Sequence, residues 1–211
     1  MPASSTTTRL ILTAYIFCGL LAVASTQFNQ LLQLAEQRYG SSGLNLMTQW
    51  QQMLTEAAPL TEQQKLNRVN QFFNQHIAWH SDSIVWQQDD YWATPLELMG
   101  TKKGDCEDFS IAKYVSLLAL DVPIKKLRIT YVKAVIDQLP QAHMVLTYYP
   151  SPSSEPFILD NLEKSILPAS QRTDLEPVYS FNSGGLWLKN AQRASARNPG
   201  MVLSRWSNLL F

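Results

Sequence analysis

The stretch that decides the fold is 104–122, GDCEDFSIAKYVSLLALDV. Its apolar residues, among them Phe109, Ala112 and Leu118, recur at helical spacing, which predicts a largely buried helix. Gly104 is expected to turn the chain just before it, so that Cys106 sits at or just inside the helix N-terminus. After Pro123 the pattern changes from helical to alternating, which is typical of strands.

Helices are predicted before this stretch and strands after it. Helical patterns cover 27–58, with a stop at Gly40, and 61–79, where Thr61 and Gln64 form a capping box. A third helix is predicted at 94–100, where Thr94, Pro95 and Glu97 form an N-terminal cap and Gly100 a stop. The predicted strands are 127–135, 142–149, 156–162, 176–182 and 185–189. Helices followed by consecutive short strands indicate an α+β fold, with a helical part at about 27–120 packed on an antiparallel sheet at about 125–190.

The N-terminus has the pattern of a secretory signal peptide. One charge, Arg9, precedes an apolar run at 10–23, and the run ends in Ala22-Val23-Ala24. The run is short for a membrane span of about 20 residues, so we expect cleavage after residue 24 and export, with an uncleaved membrane anchor as the alternative. Cleavage would remove Cys18, and the mature domain at 25–211 would keep one cysteine.

The charge pattern argues against one class of partner. The chain has a formal net charge of zero, which does not favour nucleic-acid binding. Its last 35 residues contain no acid but carry Lys189, Arg193, Arg197 and Arg205. We interpret this basic tail as a solvated segment, and a docking surface for a partner is the alternative.

Cys106 is the candidate nucleophile, and a nucleophilic cysteine needs a base within reach. His143 lies in the second predicted strand and Asp160 ends the next one, so adjacent strands would place the two side chains together, with Asp160 orienting the ring. The alternatives are a hydrogen-bonded core histidine and a strand-end turn residue. His76 and His80 have a metal-chelating spacing, but no third ligand of zinc type is apparent, which favours ordinary surface or helix-end histidines.

Three carboxylates surround the thiol, and their charge should raise its pKa. Asp105, Glu107 and Asp108 are either helix-end acids or, since hard oxygen ligands suit calcium, part of a calcium site. Asp89 and Asp90 are weaker candidates for the same site.

The oxyanion of an acyl-transfer reaction would need hydrogen-bond donors. The Cys106 backbone N–H is one candidate. Tyr91 or Trp92 could supply a second donor, and the alternative for both is aromatic core packing.

Three segments together resemble the bacterial transglutaminase-like cysteine proteinases: YWATPLELMGTKKGDCEDFS at 91–110, AHMVL at 142–146 and FILDN at 157–161. The resemblance covers roughly residues 40–182. It implies a papain/transglutaminase-like core, a catalytic triad of Cys106, His143 and Asp160, and a calcium ion held by Asp105, Glu107 and Asp108, with Asp105 and Glu107 the stronger candidates.

The resemblance also implies a function. It predicts a calcium-dependent periplasmic endopeptidase that cuts a large surface adhesin near its N-terminal retention module, at a paired-alanine site, and so releases it and disperses biofilm. An inner-membrane receptor for cyclic di-GMP would sequester the protease. Two alternatives stay open: a protein-crosslinking transglutaminase with the same triad, and a catalytically silent binding module.

Overall fold

The computed structural model describes residues 6–188, and side chains over 28–188. The chain forms five helices within this part: α1 Thr6–Ala57, α2 Glu62–His76, α3 Asp82–Val85, α4 Pro95–Thr101 and α5 Cys106–Ala119. The strands are β1 Ala78–Trp79, β2 Lys103–Gly104, β3 Leu127–Ile136, β4 Leu139–Tyr148, β5 Phe157–Leu159, β6 Leu167–Pro168, β7 Leu175–Asn182 and β8 Gly185–Leu188. Single 3-10 turns occur at Ile124–Lys126 and Ala169–Gln171.

The strands after α5 form one antiparallel sheet, in the order β6-β5-β4-β3-β7-β8. Helices followed by this sheet confirm the predicted α+β fold. The β3–β4 hairpin is longer than predicted, since β4 begins at Leu139, and β5 is shorter, so that Asp160 comes directly after its last residue. The parallel pair β1–β2 was not predicted, because 78–79 were assigned to the helix 61–79, which ends at His76, and Gly104 was assigned to a turn. The short helix α3 was not predicted either.

Capping boxes begin α2 and α4, as the sequence predicts. The Thr61 and Thr94 side chains accept the backbone N–H three residues on, and Gln64 and Glu97 return the bond to the cap N–H. These reciprocal bonds satisfy donors that a helix start leaves without partners.

Glycines shape two helices in different ways. Gly40 interrupts α1 at φ 66°, and the helix resumes at once. Gly100 lies inside α4 instead of ending it, because α4 continues to Thr101 and Lys102 takes the left-handed conformation at φ 56°. A Cβ on Gly100 would lie 2.3 Å from the Tyr39 ring, so the missing side chain lets α4 approach α1 closely.

The main core lies between the helices and the sheet. Leu66, Phe73, Leu117 and Ile129 are fully buried there, and each large apolar side chain stabilises the fold by about 1.5–3 kcal/mol. The buried Trp50 Nε1 donates to Ser116 Oγ at 2.8 Å and so joins α1 to α5.

The chain termini leave two predictions untested. The expected signal peptide falls on residues whose side chains lie outside the description, and the four basic residues of the C-terminal tail, from Lys189 on, lie outside it as well. Among the residues that are described, no helix has the length and apolarity that crossing a membrane requires.

Candidate active site

Cys106 is the first residue of α5, as predicted. Asp105 caps the helix, and its backbone N–H donates to Asp108 Oδ2 at 3.4 Å. A Cβ on Gly104 would lie 2.6 Å from that same Asp108 oxygen. Gly104 is therefore required for close packing against Asp108, and the chain turns at Lys102 instead. The helix N-terminus places free N–H groups and positive potential at the thiol.

The thiol nevertheless lies in a negative environment. The Cys106 Sγ donates to Glu107 Oε2 at 3.0 Å. Burial, the Glu107 carboxylate and the Asp105 charge hold the pKa of Cys106 well above its ordinary value. A hydrogen bond from the Met144 backbone to the sulfur acts in the opposite direction but does not compensate. In this arrangement the thiol is protonated and weakly nucleophilic.

His143 and Asp160 are brought together as the strand pattern predicts. His143 lies on β4 and is 4% exposed, and its Nε2 lies 2.8 Å from Asp160 Oδ1. Asp160 follows β5, the strand next to β4, and is 1% exposed. The Leu162 backbone N–H also donates to Asp160 Oδ1, at 3.1 Å. The Asp160 carboxylate therefore holds the His143 ring, and the Leu162 N–H in turn holds the carboxylate.

Four further side chains surround Asp160, and sequence reasoning identified none of them. Arg172 Nη2 lies 2.8 Å from Asp160 Oδ2, and Asp174 holds the same guanidinium through two bonds of 2.9 and 2.7 Å. On the other side, Lys113 Nζ and Asn74 Nδ2 donate to the Asp160 carbonyl oxygen at 3.0 and 2.8 Å. Lys113 is on α5, so the helix that begins with Cys106 is bonded to the residue that orients His143.

Charge and burial compete at these groups. Burial would raise the pKa of Asp160, but the hydrogen bond and charge of His143, the Leu162 N–H and Arg172 outweigh it and lower the pKa to about 2. Burial lowers the pKa of Lys113 to about 7, against the opposing charge of Asp160. Asp160 is thus ionised at neutral pH.

Cys106 and His143 line the same cleft, which has a volume of about 890 Å³. Trp79 and Trp92 line it from the helical side, and Tyr131 from β3. The cleft is open to solvent, since Trp79 is 58% exposed. It can admit a chain segment to the thiol and the imidazole.

An acidic cluster adjoins the thiol. Carboxylate oxygens of Asp82, Asp105 and Asp108 lie within 4.8 Å of one another, and so do those of Asp82, Asp90 and Glu107. Burial and mutual repulsion raise the pKa of Asp105 to about 9 and that of Asp108 to about 8. Asp105 Oδ1 is buried with no hydrogen-bond partner. Hard oxygens brought this close, one of them unsatisfied, fit a divalent cation such as calcium.

Asp82 is the ligand candidate that the sequence did not indicate. It is buried on α3 and accepts the Tyr91 backbone N–H. Asp108, which the sequence did indicate, also accepts the Ala93 N–H at 2.7 Å. Of the two weaker candidates, Asp90 belongs to a metal-capable group, and Asp89 belongs to none of those found among the described residues.

The structure also places the candidate oxyanion donors and the two other histidines. Tyr91 donates its hydroxyl to Glu97 at 2.9 Å, while Trp92 lines the cleft. His76 Nδ1 lies 2.8 Å from the Phe72 carbonyl oxygen, and neither His76 nor His80 joins a metal-capable group in the described residues. His76 is the last residue of α2, whereas His80 follows β1 and its backbone N–H donates to the Gly104 carbonyl.

The sequence matches the family of bacterial transglutaminase-like cysteine proteinases over residues 47–183. The chain belongs to this family. Membership makes it a cysteine proteinase and agrees with the predicted transglutaminase-like core. Comparison with curated proteins gives no match.

Three solved structures of one protein resemble the chain over most of its length. Legionella pneumophila LapG is 42% identical, with a TM-score of 0.74, over 87% of this chain and 95% of that one. The calcium-bound form is 43% identical, with a TM-score of 0.75, over 87% of this chain and 97% of that one. An EGTA-treated form is 43% identical, with a TM-score of 0.75, over 86% and 95%. The fold of this proteinase is therefore the LapG fold.

Proposed function

We propose that this proteinase is a calcium-dependent endopeptidase with Cys106 as nucleophile, His143 as base and Asp160 as the residue that orients the base. The observation that carries the proposal is the buried His143–Asp160 pair at 2.8 Å, in the cleft that also holds Cys106 at a helix N-terminus. Family membership supplies the reaction class, a cysteine proteinase.

The contact between His143 and Asp160 supports a separate role for each ring nitrogen of His143. Nε2 is bonded to Asp160, so Nδ1 takes the thiol proton. The thiolate attacks the scissile carbonyl carbon, and the amine leaves with the proton from His143, which produces a thioester on Cys106. Water, deprotonated by His143, then attacks the thioester and releases the acid and the thiol. Asp160 stabilises the imidazolium at each proton transfer.

Two groups in or next to the cleft can donate hydrogen bonds to the oxyanion. The Cys106 backbone N–H lies at the start of α5, where helix N–H groups have no intrahelical acceptor. Trp92 lines the cleft and offers an indole N–H, whereas the Tyr91 hydroxyl is bonded to Glu97. We therefore assign the second donor to Trp92.

The acids next to the thiol are the residues that would hold calcium: Asp105, Glu107 and Asp108, joined by Asp82 and Asp90. Bound calcium supplies positive charge that neutralises these carboxylates. Glu107 would be a weaker acceptor for the thiol hydrogen if its charge were neutralised in this way, which would favour transfer of the Cys106 proton to His143. Support for calcium comes from the close oxygens here and from the calcium-bound form of the Legionella protein.

The substrate and setting follow from the family resemblance. We propose that the protease acts in the periplasm after removal of 1–24, and that it cuts a large surface adhesin at paired alanines near the adhesin N-terminus. Release of the adhesin would disperse biofilm, and an inner-membrane cyclic di-GMP receptor would sequester the protease.

The test is cleavage of an adhesin N-terminal fragment that contains paired alanines. We expect the wild-type protein with calcium to produce two fragments, and Cys106→Ala and His143→Ala to produce none. His76→Ala is the matched control, because His76 lies outside the cleft. Processing by Cys106→Ala would overturn the nucleophile assignment.

Two further measurements separate the alternatives. Excess EGTA should abolish cleavage with the fold retained by circular dichroism, and full activity of protein confirmed to be metal-free would contradict calcium dependence. A labelled primary amine in the reaction distinguishes transfer from hydrolysis. Incorporation of the amine in place of fragmentation would favour the transglutaminase alternative.

A further inference from the structure

The strand that carries His143 has one edge that is mostly unpaired. On one side, β4 pairs with β3 over its whole length, from Leu139 to Tyr148. On the other side, β5 pairs only with Leu146, Thr147 and Tyr148. The N-terminal half of β4 therefore has a neighbouring strand on one side only within the part of the chain that the structure describes.

The register shows which residues point to that open edge. The Tyr149 N–H donates to the Lys126 carbonyl at 2.8 Å, so residue 149 faces β3. In an antiparallel sheet, successive residues direct their backbone groups to opposite sides. The backbone N–H and C=O groups of odd-numbered residues of β4 thus point towards β3, and those of even-numbered residues point towards the other edge of the strand.

Met144 confirms this assignment. Its carbonyl accepts the Ser110 hydroxyl at 3.1 Å, and its backbone also bonds the Cys106 sulfur. Both contacts are with α5, on the side away from β3. The open edge of β4 therefore leads directly to the nucleophile.

Ala142 is the next residue along that edge. It is exposed, precedes His143 and lines the cleft, and no partner for its outward N–H and C=O occurs among the described residues. Two residues earlier the edge carries Pro140, which has no N–H to offer. Ala142 is thus the one residue from 139 to 143 that presents both a donor and an acceptor to the cleft.

We propose that the Ala142 backbone binds an extended segment of the substrate beside the scissile bond, as an added strand on β4. This inference rests on the proposed endopeptidase function and adds a subsite to it. Added strands bind through backbone bonds, and pockets for alternate side chains give specificity. The substrate class is a non-helical stretch of protein, because helix backbone groups are already paired.

The walls of the cleft indicate the side chains of that segment. Trp79 and Leu162 line it and are 58% and 47% exposed, which is high for large apolar residues. Leu162 follows Asp160 and so lies on the β5 side of β4, where the added strand would run. The segment is expected to place apolar side chains against these two residues.

Ala142→Pro tests the proposal, with Ala142→Val as its matched control. Proline removes the Ala142 N–H, which makes no hydrogen bond to β3. The preceding residue is in a strand and therefore already has the extended conformation that proline requires, so the strand can accept the change. Valine adds similar bulk but keeps the N–H. We expect kcat/KM for the paired-alanine fragment to be about tenfold or more lower in Ala142→Pro than in Ala142→Val, as loss of a bond worth about 1.4 kcal/mol implies.

Two measurements show that the effect is on binding. Alkylation of Cys106 by iodoacetamide, which needs no added strand, should proceed at the same rate in both variants. N-methylation of single backbone amides of a peptide substrate should reduce cleavage by wild-type enzyme at alternate positions near the scissile bond, which tests the proposal even if Ala142→Pro is unstable.

Equal kcat/KM in the two variants, or N-methylation without effect at every position, would overturn the added strand and leave the endopeptidase intact. A dimer of the wild-type protein that Ala142→Pro dissociates would assign the edge to a second copy and also overturn it. Failure of the wild-type protein to cleave any fragment would instead overturn the proposed function, and the subsite with it.

Discussion

Replacing Arg172 by methionine tests the support of Asp160 most directly. Arg172 is buried and lies 2.8 Å from Asp160 Oδ2, and Asp160 is 1% exposed. Methionine fills similar space without charge. The variant therefore leaves a buried carboxylate without its cationic neighbour, and Asp174 without the guanidinium that it holds.

The magnitude can be worked from the pKa of Asp160. A shift from 3.8 to about 2 corresponds to about 2–3 kcal/mol in favour of the ionised form in the folded protein. Arg172 is one of the groups that produce this shift, together with His143 and the Leu162 N–H. Removing one partner of a buried pair costs about 3–5 kcal/mol in general. We expect Arg172→Met to lower the free energy of unfolding by about 3 kcal/mol.

A double-mutant cycle in urea at pH 7 isolates the interaction. The same Arg172→Met change in an Asp160→Asn background should cost much less, because the buried carboxylate is gone and only Asp174, which is 43% exposed, loses its partner. The coupling energy should be about 2 kcal/mol, and Arg172→Lys should recover part of the stability. Additive costs of the two changes would refute the reasoning, since they would mean that Arg172 stabilises the fold without acting on Asp160.

Three further changes probe the site. Gly104→Ala forces a Cβ to 2.6 Å from Asp108 and should lower the free energy of unfolding in urea by about 1–3 kcal/mol. Gly184→Ala is the control, because the atom nearest to its Cβ would be 3.2 Å away. An equal loss of stability in the two variants would contradict the prediction. Asp160 has a lowered pKa, so the stability that its ionised form contributes is present above about pH 4 and lost as pH falls to about 2. Asp160→Asn should therefore make the free energy of unfolding depend less on pH in this range. Parallel curves of unfolding free energy against pH for the wild-type protein and the variant would contradict this. Glu107→Gln removes the carboxylate that accepts the thiol hydrogen, so metal-free enzyme should react faster with iodoacetamide at pH 8, and an unchanged rate would exclude that role.

Much of the fold can be predicted from short sequence patterns. Thr94, Pro95 and Glu97 define the start of α4 within four residues, and the structure has that start. The alternation of β4 was equally local: Met144 joins the main core, and Val145 joins a second apolar cluster. Such patterns are readable because each depends on neighbours along the chain.

The site was predictable only where a strand or helix fixes the residue. Cys106 and His143 lie on such elements, and Asp160 lies one residue past one. Asp82 and Arg172 could not be found in this way, since each owes its role to groups far along the chain, Asp105 and Asp160. Contacts of this kind follow from tertiary packing and leave no periodic trace in the sequence.

Gly100 and Gly104 show a different limit. Both were interpreted as turn or stop residues, which is the common reason for glycine near a helix end. In the structure each is needed because another side chain, Tyr39 or Asp108, occupies the space of a Cβ. A single sequence does not distinguish conformational need from lack of space.

The hydrogen bond from Cys106 to Glu107 has a consequence for the chemical lifetime of the enzyme. The thiolate form of a cysteine attacks peroxide and disulfides, and a thiol whose pKa is held well above its ordinary value reacts slowly with them. The carboxylate that opposes catalysis therefore also protects the sulfur from oxidation. Enzyme stored with chelator is expected to keep its titratable thiol longer than enzyme stored with calcium.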